Sequence, residues 1–472
     1  MNRDGTPLHR PEKTKPLIPP PAAASVLGAG RSGIAAAHLL LNRGYRVYLS
    51  DLRDDEIVRK DCQAVIELGA QVTLGEHDRA RLADSDFIVI SPGIDERLEL
   101  LQGMELKDIP VFSEIELAYW FSPLPTVAVT GTNGKTTTAS LIGKILQAAG
   151  IRCQVAGNIG RPFCQAVDEL KDETVVVTEI SSFQLHTVKS FHPRIGALLN
   201  LSPDHLERYA SLDDYYSAKF RLFGKMNIND LAILNADDPE IGKRAKSAVK
   251  CPVVWFGLKN TDNSYAFVKD NALWLRQQPG DEVRVIGLKE IKLHGEHNLE
   301  NILAASCTAA ACGAPAEAIG RGVKSFTGLP HRLETVVRAK GITWVNDSKA
   351  TTVESVLRAL QSFPGPLVLI MGGRHKGSSF KPLEAELQLK VRRLIALGEA
   401  ADIIARELGS YCPVELVPDL EQAVARASDT ARDGEVVLLS PGCSSFDMFT
   451  DYEQRGEIFK NIVLRMGTHV PH

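Results

Sequence analysis

A short stretch near the middle of the chain has the residue types that hold phosphate groups. It runs from Gly131 to Thr136 (Gly-Thr-Asn-Gly-Lys-Thr) and follows a run of β-branched and apolar residues. Backbone N–H groups of such a loop, and of the helix after it, point at phosphate oxygens. Lys135 would place a positive charge at the β- and γ-phosphates, and the Thr136 hydroxyl would bind Mg²⁺. The stretch therefore predicts phosphoryl transfer from a nucleotide.

The loop departs from the usual phosphate-loop pattern, G-x-x-x-x-G-K-[ST]. Val129 stands where that pattern has its first glycine, five residues before Gly134, so the loop is a shorter variant. The alternative interpretation is an ordinary turn rich in small residues. A strand predicted before the loop and a helix predicted after it, running to Ala149, both favour the phosphate site.

Three further residues have side chains suited to metal binding or acid–base chemistry. Glu179 and His205 each follow a predicted strand, and ligands of open α/β sheets bind outside the carboxyl ends of strands. A carboxylate in that position can hold Mg²⁺ near a γ-phosphate. Lys219 lies in a predicted helix, residues 213–223, with aromatic residues around it.

Each of the three also has an ordinary structural interpretation. An acid in the position of Glu179 is favoured at a helix start by the helix dipole. A lone histidine such as His205 is more often structural than functional. A lysine near apolar residues, like Lys219, usually extends its amine to solvent. Position alone leaves these alternatives open.

A second glycine-rich segment lies near the start of the chain. Gly28, Gly30 and Gly33 form the pattern GxGxxG after a short strand, and Asp51 follows eighteen residues after Gly33. Taken alone, this arrangement predicts a dinucleotide cofactor.

The elements that must position these residues are strands alternating with helices. Strands are predicted at 24–27, 46–50, 86–90, 126–130, 174–178, 195–199, 231–234, 343–345, 367–371, 393–397 and 436–439. This alternation predicts parallel, doubly wound sheets. Residues 251–293 alternate polar and apolar residues with few helix signals, which predicts small antiparallel strands. A helix is predicted from Asn298 to Ala311.

The predicted elements group into three successive α/β domains. Residues 24–122 are expected to form a Rossmann-like domain, 123–328 a central P-loop-type ATPase domain with a mostly parallel sheet, and 329–472 a C-terminal Rossmann-like domain. Residues 1–23 contain six prolines and few apolar residues, which predicts a flexible tail.

Composition excludes several classes of protein. The chain has 472 residues and a net charge of -4, whereas a general nucleic-acid binder normally has a basic excess. Its eight cysteines are scattered without a CxxC pair, which disfavours a disulfide framework or a zinc site. No apolar run is long enough to cross a bilayer, and no secretory signal opens the chain. We expect a cytoplasmic protein with free thiols.

The motifs together resemble those of the Mur ligases, ATP-dependent amide-forming ligases of peptidoglycan precursor synthesis, and among them the members that add D-glutamate. The resemblance spans residues 24–465, with the motifs in order. The segments that carry it are Thr130–Thr136, Gly157–Gly160, Glu179–Leu185, Asp204–Tyr209, Lys219, Asn235–Asp238, Gly295–Asn301, His331–Glu334, Asn346–Thr351, Gly372–Gly377, Ser440–Asp447 and Arg455–Gly456.

The resemblance implies three binding sites. The UDP part of the substrate would contact Arg31, Ser32, Asp51, Leu52, Arg53, Gly93 and Asn158. ATP would contact Gly131, Thr132, Asn133, Gly134, Lys135, Thr136, Thr137, Asn301, Arg332 and Asp347. D-Glutamate would contact Lys349, Thr351, Lys376, Ser445 and Phe446. The first-domain glycines then serve a UDP-sugar rather than a dinucleotide cofactor.

The resemblance also implies a catalytic and metal-binding set. Lys135, Glu179, His205 and Lys219 would be catalytic, and Thr136 would join the last three around metal. Lys219 matches a carbamylated lysine of the family, whose carbamate helps hold a second Mg²⁺. Carbamate formation needs a neutral amine, which burial favours by lowering the lysine pKa. Whether His205 acts as a base or near the metal stays open.

The implied activity joins D-glutamate to the L-alanine carboxylate of UDP-N-acetylmuramoyl-L-alanine. ATP phosphorylates that carboxylate, and the D-glutamate amine attacks the resulting acyl phosphate. The expected cofactors are ATP and two Mg²⁺ ions. The expected partners are these small molecules, with no nucleic acid, no membrane span and a monomeric chain.

Three other interpretations remain. A sister ligase or a folylpolyglutamate synthase would share the ATP machinery, an NAD-dependent dehydrogenase would fit residues 24–120, and a nucleotide-binding module would lack catalysis. Three mild departures from the family pattern bear on substrate contacts: Thr352 where Asn is common, Gly442 where Ala is frequent, and Tyr452 where Phe is usual.

Overall fold

The structure, a computed structural model, describes residues 22–92, 94, 99–103, 108–158, 160–171, 174–204, 208–278, 281–293, 295–375 and 377–468. The chain divides into two compact units, one ending at Phe326 and the other beginning at Thr327. The first unit holds two sheets and the second holds one. Most of the predicted 1–23 tail lies outside the described residues, and the first strand begins at Ala23.

The first sheet has five strands, all parallel, in the order β3-β2-β1-β4-β5. Its strands are β1 Ala23–Leu27, β2 Arg46–Asp51, β3 Gln71–Leu74, β4 Phe87–Ile90 and β5 Val111–Ser113. Its helices are α1 Arg31–Asn42, α2 Glu56–Glu67, α3 Arg79–Ala83, α4 Glu99–Gln102 and α5 Glu114–Phe121. The strand order reverses at β1, between β2 and β4, so the glycine-rich segment after β1 opens at the switch point where such sheets bind ligands.

The second sheet has nine strands in the order β14-β13-β12-β11-β10-β9-β6-β8-β7. Its strands are β6 Thr126–Thr130, β7 Cys153–Gly157, β8 Val175–Glu179, β9 Ile195–Leu198, β10 Leu231–Asn235, β11 Val253–Phe256, β12 Ser264–Lys269, β13 Ala272–Gln278 and β14 Asp281–Gly287. Its helices are α6 Lys135–Ala148, α7 Phe163–Asp168, α8 Ser182–His186, α9 Leu212–Phe220, α10 Pro239–Ala248, α11 Glu296–Ala311 and α12 Ala316–Ser325.

Register places the predicted functional residues of this sheet at one edge. Val129 pairs with Glu179 across β6 and β8, and Thr130 pairs with Leu198 across β6 and β9. Because these strands are parallel, the phosphate loop and Glu179 both leave the sheet at its carboxyl edge.

The prediction of antiparallel strands over 251–293 is correct for β12, β13 and β14 but wrong for β11. That strand pairs in parallel with both β10 and β12. Polar and apolar residues alternate along a strand whenever one face of its sheet is more exposed, whether the strand pairs in parallel or antiparallel. The sequence pattern therefore could not distinguish the two kinds of pairing.

The second unit contains one six-stranded sheet in the order β15-β16-β20-β17-β18-β19, parallel except for β15. Its strands are β15 Glu334–Ala339, β16 Ile342–Asn346, β17 Leu367–Gly372, β18 Val391–Leu397, β19 Val414–Leu416 and β20 Val436–Leu439. Its helices are α13 Val353–Gln361, α14 Glu384–Lys390, α15 Ala401–Leu408, α16 Leu420–Thr430 and α17 Tyr452–Thr468.

Buried apolar side chains cover both faces of this sheet. Along β17, Leu367, Leu369 and Met371 pack into one core and Val368 and Ile370 into the other. A sheet covered on both faces requires continuous apolar strands, which explains the unbroken run in β17.

Two features of the structure concern the cysteines and the helices. All eight cysteines are free thiols in the structure. Among the helices of the described residues, none combines the length and the apolar character needed to cross a bilayer.

Candidate active site

The phosphate loop joins β6 to α6 and presents its backbone at the start of that helix. Gly134 precedes the helix with a φ of 81°, in the left-handed region that favours glycine. The Lys135 ammonium donates to the carbonyl oxygens of Gly131, at 2.9 Å, and Thr132, at 2.8 Å. A cation therefore lies directly over the loop whose N–H groups suit an anion.

A neighbouring loop after β9 supports the phosphate loop. Asn133 N–H donates to the Asn200 Oδ1 at 2.9 Å, and Thr132 N–H donates to the Asn200 carbonyl at 3.1 Å. The Ser202 N–H donates to the Thr132 hydroxyl oxygen at 3.1 Å. These bonds fix the loop conformation from a segment about seventy residues downstream, and no sequence pattern predicted this role of Asn200.

Asn301 lies against the phosphate loop. The side chain is 4% exposed, and its Oδ1 accepts a hydrogen bond from the Thr138 hydroxyl at 3.3 Å. A Cβ added to Gly134 would collide with the same Oδ1. The structure thus brings Asn301 from α11 to the loop. Contact between Asn301 and ATP remains a prediction.

Lys219 is buried beside the phosphate loop. It lies in the last turn of α9, is 1% exposed, and donates from Nζ to the Gly131 carbonyl at 3.0 Å. Burial and the nearby Lys135 cation lower the pKa of Lys219 well below its usual value, against an opposite effect of Asp204. The interpretation of Lys219 as a surface lysine is therefore wrong, because its amine is enclosed and favoured in the neutral form.

Two aromatic residues complete the surroundings of Lys219. The Tyr215 ring lies 4.5 Å from the Lys219 amine, and its hydroxyl donates to the Thr132 hydroxyl oxygen at 3.3 Å. Tyr209 packs on Tyr215 with ring centroids 5.1 Å apart. Neither tyrosine had a predicted role, although Tyr209 ends the segment Asp204–Tyr209 of the family resemblance and Tyr215 lies in the predicted helix 213–223.

Glu179 ends β8 as a buried carboxylate, 2% exposed. Its Oε1 accepts a hydrogen bond from the Asn158 side chain at 3.3 Å, and its carbonyl accepts one from the Asn158 N–H at 2.9 Å. The structure therefore joins a predicted metal-binding residue to a predicted substrate-binding residue. Thr136 lies in the first turn of α6, and Thr137 follows it.

Three predicted site residues, Gly93, His205 and Lys376, lie outside the described residues. Among the residues that the structure describes, no group of three or more His, Cys, Asp or Glu side chains could hold a metal ion. Close to the phosphate loop, the Glu179 carboxylate and the Thr136 hydroxyl offer oxygen atoms of the kind that Mg²⁺ binds.

The glycine-rich segment after β1 and the end of β2 form one network. The Gly28 N–H donates to the Ser50 carbonyl at 2.8 Å, and the Ala29 N–H donates to Asp51 Oδ2 at 2.7 Å. Asp51 Oδ1 accepts from the Arg53 N–H at 2.8 Å. Both carboxylate oxygens of Asp51 thus hold backbone N–H groups.

The other predicted UDP-binding residues of this domain lie on its surface. Arg31 is exposed and Ser32 half-buried at the start of α1, and Arg53 is exposed beside Leu52, of which 64% is accessible. An exposed leucine next to a turn of polar residues is available to pack against a flat ring.

Five predicted residues of the second unit follow β16 or β20, which are neighbouring parallel strands: Asp347, Lys349, Thr351, Ser445 and Phe446. Arg332 lies just before β15. Asp347 is 5% exposed and accepts hydrogen bonds from the Ser440 hydroxyl at 2.9 Å and the Leu333 N–H at 3.2 Å. Burial raises the pKa of Asp347 to about 7, although those bonds and the Arg332 and Lys349 cations act in the opposite direction.

The residues predicted for D-glutamate differ in exposure. Lys349 and Thr351 are half-buried, Ser445 is buried, and Phe446 is 54% exposed. Lys349 also lies 5.9 Å from the Tyr452 ring.

Arg455 supports the loops that carry these residues. Its guanidinium is buried and donates to the Ser348 hydroxyl at 2.9 Å, the Ser348 carbonyl at 2.8 Å and the Cys443 carbonyl at 3.3 Å. It therefore connects the loop after β16 with the loop after β20. Sequence reasoning quoted Arg455 in a motif without assigning it this role.

Comparisons with known proteins agree with this arrangement. Residues 22–113 match the Mur ligase MurD-like N-terminal domain, residues 129–309 the Mur ligase middle domain, and residues 331–443 the glutamate ligase domain of Mur ligases. The UDP-N-acetylmuramoylalanine–D-glutamate ligase of Acidobacterium capsulatum is 42% identical over 441 residues, covering 93% of this chain and 95% of that protein. The corresponding ligase of Koribacter versatilis is 41% identical, covering 94% and 97%.

Solved structures share the fold. MurF from Acinetobacter baumannii has a TM-score of 0.57 at 17% identity, covering 88% of this chain and 91% of that one. MurF ligase from Thermotoga maritima, solved in complex with ADP, has a TM-score of 0.55 at 17% identity, covering 89% and 96%. With all three domain types matched in order and relatives above 40% identity along nearly the whole chain, this protein belongs to the Mur ligase family.

Proposed function

We propose that this chain is the ATP-dependent ligase that joins D-glutamate to the L-alanine carboxylate of UDP-N-acetylmuramoyl-L-alanine. The observation that carries the proposal is the pair of lysine amines on the phosphate loop. Lys135 and Lys219 both donate to the Gly131 carbonyl, one from the helix after the loop and one from a buried position. The relatives named above supply the choice of D-glutamate.

The loop and Lys135 would bind the ATP phosphates. In phosphoryl transfer, catalysis consists mainly of positioning and of neutralising charge on the phosphate oxygens. The Lys135 ammonium would leave its present carbonyl partners for the phosphates, while the loop N–H groups keep their direction. The L-alanine carboxylate would take the γ-phosphoryl group, with ADP as the leaving group. The D-glutamate amine would then attack the acyl phosphate and form the amide, with release of inorganic phosphate and a proton.

Mg²⁺ suits the residues near the loop. Carboxylate and hydroxyl oxygens are ligands of the kind Mg²⁺ prefers, and the buried Glu179 and the half-buried Thr136 offer one each. When bound, the ions would neutralise phosphate charge during transfer. We propose that Lys219, once carbamylated, supplies a further oxygen ligand, because its amine is enclosed and favoured as the neutral base that the modification requires.

The remaining assignments stay proposals as well. UDP would lie over Arg31, Ser32, Asp51, Leu52, Arg53, Gly93 and Asn158, and D-glutamate over Lys349, Thr351, Lys376, Ser445 and Phe446. Arg332, Asp347 and Asn301 remain predicted ATP-binding residues, and His205 a predicted base or metal-side residue. The cytoplasm, where nucleotide-linked precursors are made, is the proposed location, and the monomeric state stays a prediction.

One assay tests the proposal. ADP release is measured with UDP-N-acetylmuramoyl-L-alanine and, in separate reactions, D-glutamate, L-glutamate, L-alanine or L-lysine, with a control lacking any amino acid. We expect release with D-glutamate only. Equal release with all four amino acids would overturn the substrate assignment, and release without any of them would indicate a nucleotide hydrolase.

A further inference from the structure

His77 lies at the same edge of the first sheet as the glycine-rich segment. It follows β3, whose last residues pair with the end of β2. The Gly75 N–H donates to the Asp51 carbonyl at 2.9 Å, which fixes the start of the segment that carries His77. The ring is half-buried. His77 therefore stands beside Asp51, where the nucleoside end of a ligand lies in sheets of this type.

A single buried partner orients the His77 ring. Its Nδ1 lies 2.8 Å from the Ser50 hydroxyl, and the Ser50 side chain is fully buried. The Ser50 carbonyl accepts the Gly28 N–H, so the ring is held by a residue that also holds the glycine-rich segment. Within the described part of the chain, no residue bonds to the opposite ring atom, Nε2.

The acidic residue that usually reads the nucleoside has other partners here. Both carboxylate oxygens of Asp51 accept backbone N–H groups, from Ala29 and Arg53. Asp51 thereby fixes the backbone at Ala29 and at Arg53. The His77 Nε2 is, by contrast, a polar ring atom beside Asp51 that can still form a hydrogen bond with a ligand.

Neutral imidazole suits a uracil ring. Burial lowers the pKa of His77 below its usual value, against the attraction of Asp51, and this lowering favours the neutral ring. A neutral ring has one donor and one acceptor, and its Nε2 takes whichever role the Ser50 bond leaves. Uracil offers both a carbonyl acceptor and an N–H donor along one edge.

We propose that His77 is a specificity-determining residue of the UDP subsite, whose Nε2 hydrogen-bonds the edge of the uracil ring. The inference rests on the proposed function, because it assumes that a uridine nucleotide occupies this edge. It adds to the proposed function a residue whose side chain would make the site bind uracil in preference to cytosine.

Two substitutions of His77 distinguish a hydrogen bond to uracil from mere support of the loop. His77→Asn keeps a polar atom at the position of Nδ1, and with it the Ser50 bond, but loses the reach of Nε2. His77→Gln places an amide near the position of Nε2. His38→Asn is the matched control, because His38 is a half-exposed histidine of the same sheet's α1 whose ring contacts Asp168.

The measurement is the affinity of each full-length variant for UDP and for CDP by titration calorimetry. Loss of one neutral hydrogen bond predicts a UDP affinity about five- to tenfold weaker in His77→Asn, with a narrower ratio of UDP to CDP affinity. We expect His77→Gln to keep most of the affinity and His38→Asn to match the wild type. In turnover, the KM for the UDP-linked substrate should rise in His77→Asn, with kcat and the KM for ATP unchanged.

The outcomes separate the two proposals. Wild-type affinity for UDP in His77→Asn would overturn the role of His77 alone. An equal loss for UDP and CDP would also overturn it, because it would mean that the ring only supports the loop. Failure of the wild-type protein to bind UDP would instead refute the UDP subsite of the proposed function.

Discussion

At the scale of single residues, the feature that most needs explanation is a lysine amine buried next to a second lysine. A charged amine enclosed in protein is costly unless it is paired, and the usual relief is loss of its proton. The partner of Lys219 is a carbonyl oxygen of Gly131, which accepts a hydrogen bond from a neutral amine as well as from a charged one. The site thus favours the form of lysine that can react with carbon dioxide.

Lys219→Ala tests this chemistry. We expect loss of about 100-fold or more in kcat, because the variant lacks the proposed carbamate ligand of the Mg²⁺ ion that would neutralise charge on the phosphates. The fold should persist, checked by circular dichroism and melting temperature. Short carboxylates such as acetate should partly restore activity by occupying the space left by the side chain.

The control for this prediction is Lys225→Ala, since Lys225 is an exposed lysine shortly after the same helix. It should retain wild-type kcat. Full activity in Lys219→Ala would contradict the carbamate proposal.

At the scale of elements, the phosphate loop depends on segments far from it in sequence. Its backbone is fixed by Asn200 from the loop after β9, and its Gly134 lies against Asn301 of α11. The strand, loop and helix could therefore be predicted from local sequence, but the conformation of the loop depends on the segment after β9 and on α11.

Gly134→Ala tests that geometry. The added methyl group would occupy a left-handed backbone position, which costs about 1 kcal/mol or more, and would also collide with Asn301. We expect ATP affinity to fall at least about tenfold, measured by titration calorimetry.

Gly150→Ala is the matched control for this change. Gly150 follows the other end of α6 with a φ of 73°, but a Cβ there meets no atom within 4 Å. This variant should lose some stability and keep its ATP affinity. If both variants bind ATP equally well, the contact with Asn301 does not shape the loop.

At the scale of the whole molecule, α5 connects the two sheets of the first unit through buried carboxylates. Glu116 accepts hydrogen bonds from the N–H groups of Lys189, Ser190 and Phe191, at 3.0, 2.7 and 2.9 Å. Glu114 accepts the Cys164 N–H at 2.6 Å, and its second oxygen, Oε2, is buried without a hydrogen-bond partner. The connection between the N-terminal and middle domains therefore includes a buried acid with one carboxylate oxygen that has no hydrogen-bond partner.

This acid predicts a pH dependence of stability. Burial raises the pKa of Glu114 from 4.5 to about 7. A raised pKa means that the folded state binds the proton more tightly, so the contribution to stability is complete below pH 4.5 and disappears as the pH rises through about 7. We expect Glu114→Gln to be more stable than the wild type at pH 8, by up to about 3 kcal/mol, because the amide still accepts the Cys164 N–H.

The measurement is denaturant unfolding at pH 5 and pH 8. Near pH 5 the two proteins should differ much less than at pH 8. The control, Glu317→Gln, changes an exposed glutamate and should follow the wild type at both values. A constant difference between Glu114→Gln and the wild type across this range would show that ionisation of Glu114 is not its cause.

The amino-acid sequence alone determined the class of fold, the phosphate loop and the family. Buried strands, glycine turns and helix starts are local patterns with direct physical causes, and the order of the motifs is independent of distance in space. The same patterns predicted Glu179 at a strand end, where the structure places it. Weak strands such as β7 and β19 went unpredicted, because short segments at or near sheet edges have less apolar content.

Only the tertiary structure decided which residues share surroundings. Lys219 had the local pattern of a surface lysine, and its burial depends on the phosphate loop, whose Gly131 lies 88 residues earlier in the chain. His77 lay in no motif, and its position depends on the pairing of β2 with β3 and on the Ser50 hydroxyl. The physical reason is common to both: burial and the direction of a side chain are properties of packed neighbours, and a sequence pattern records only the neighbours along the chain.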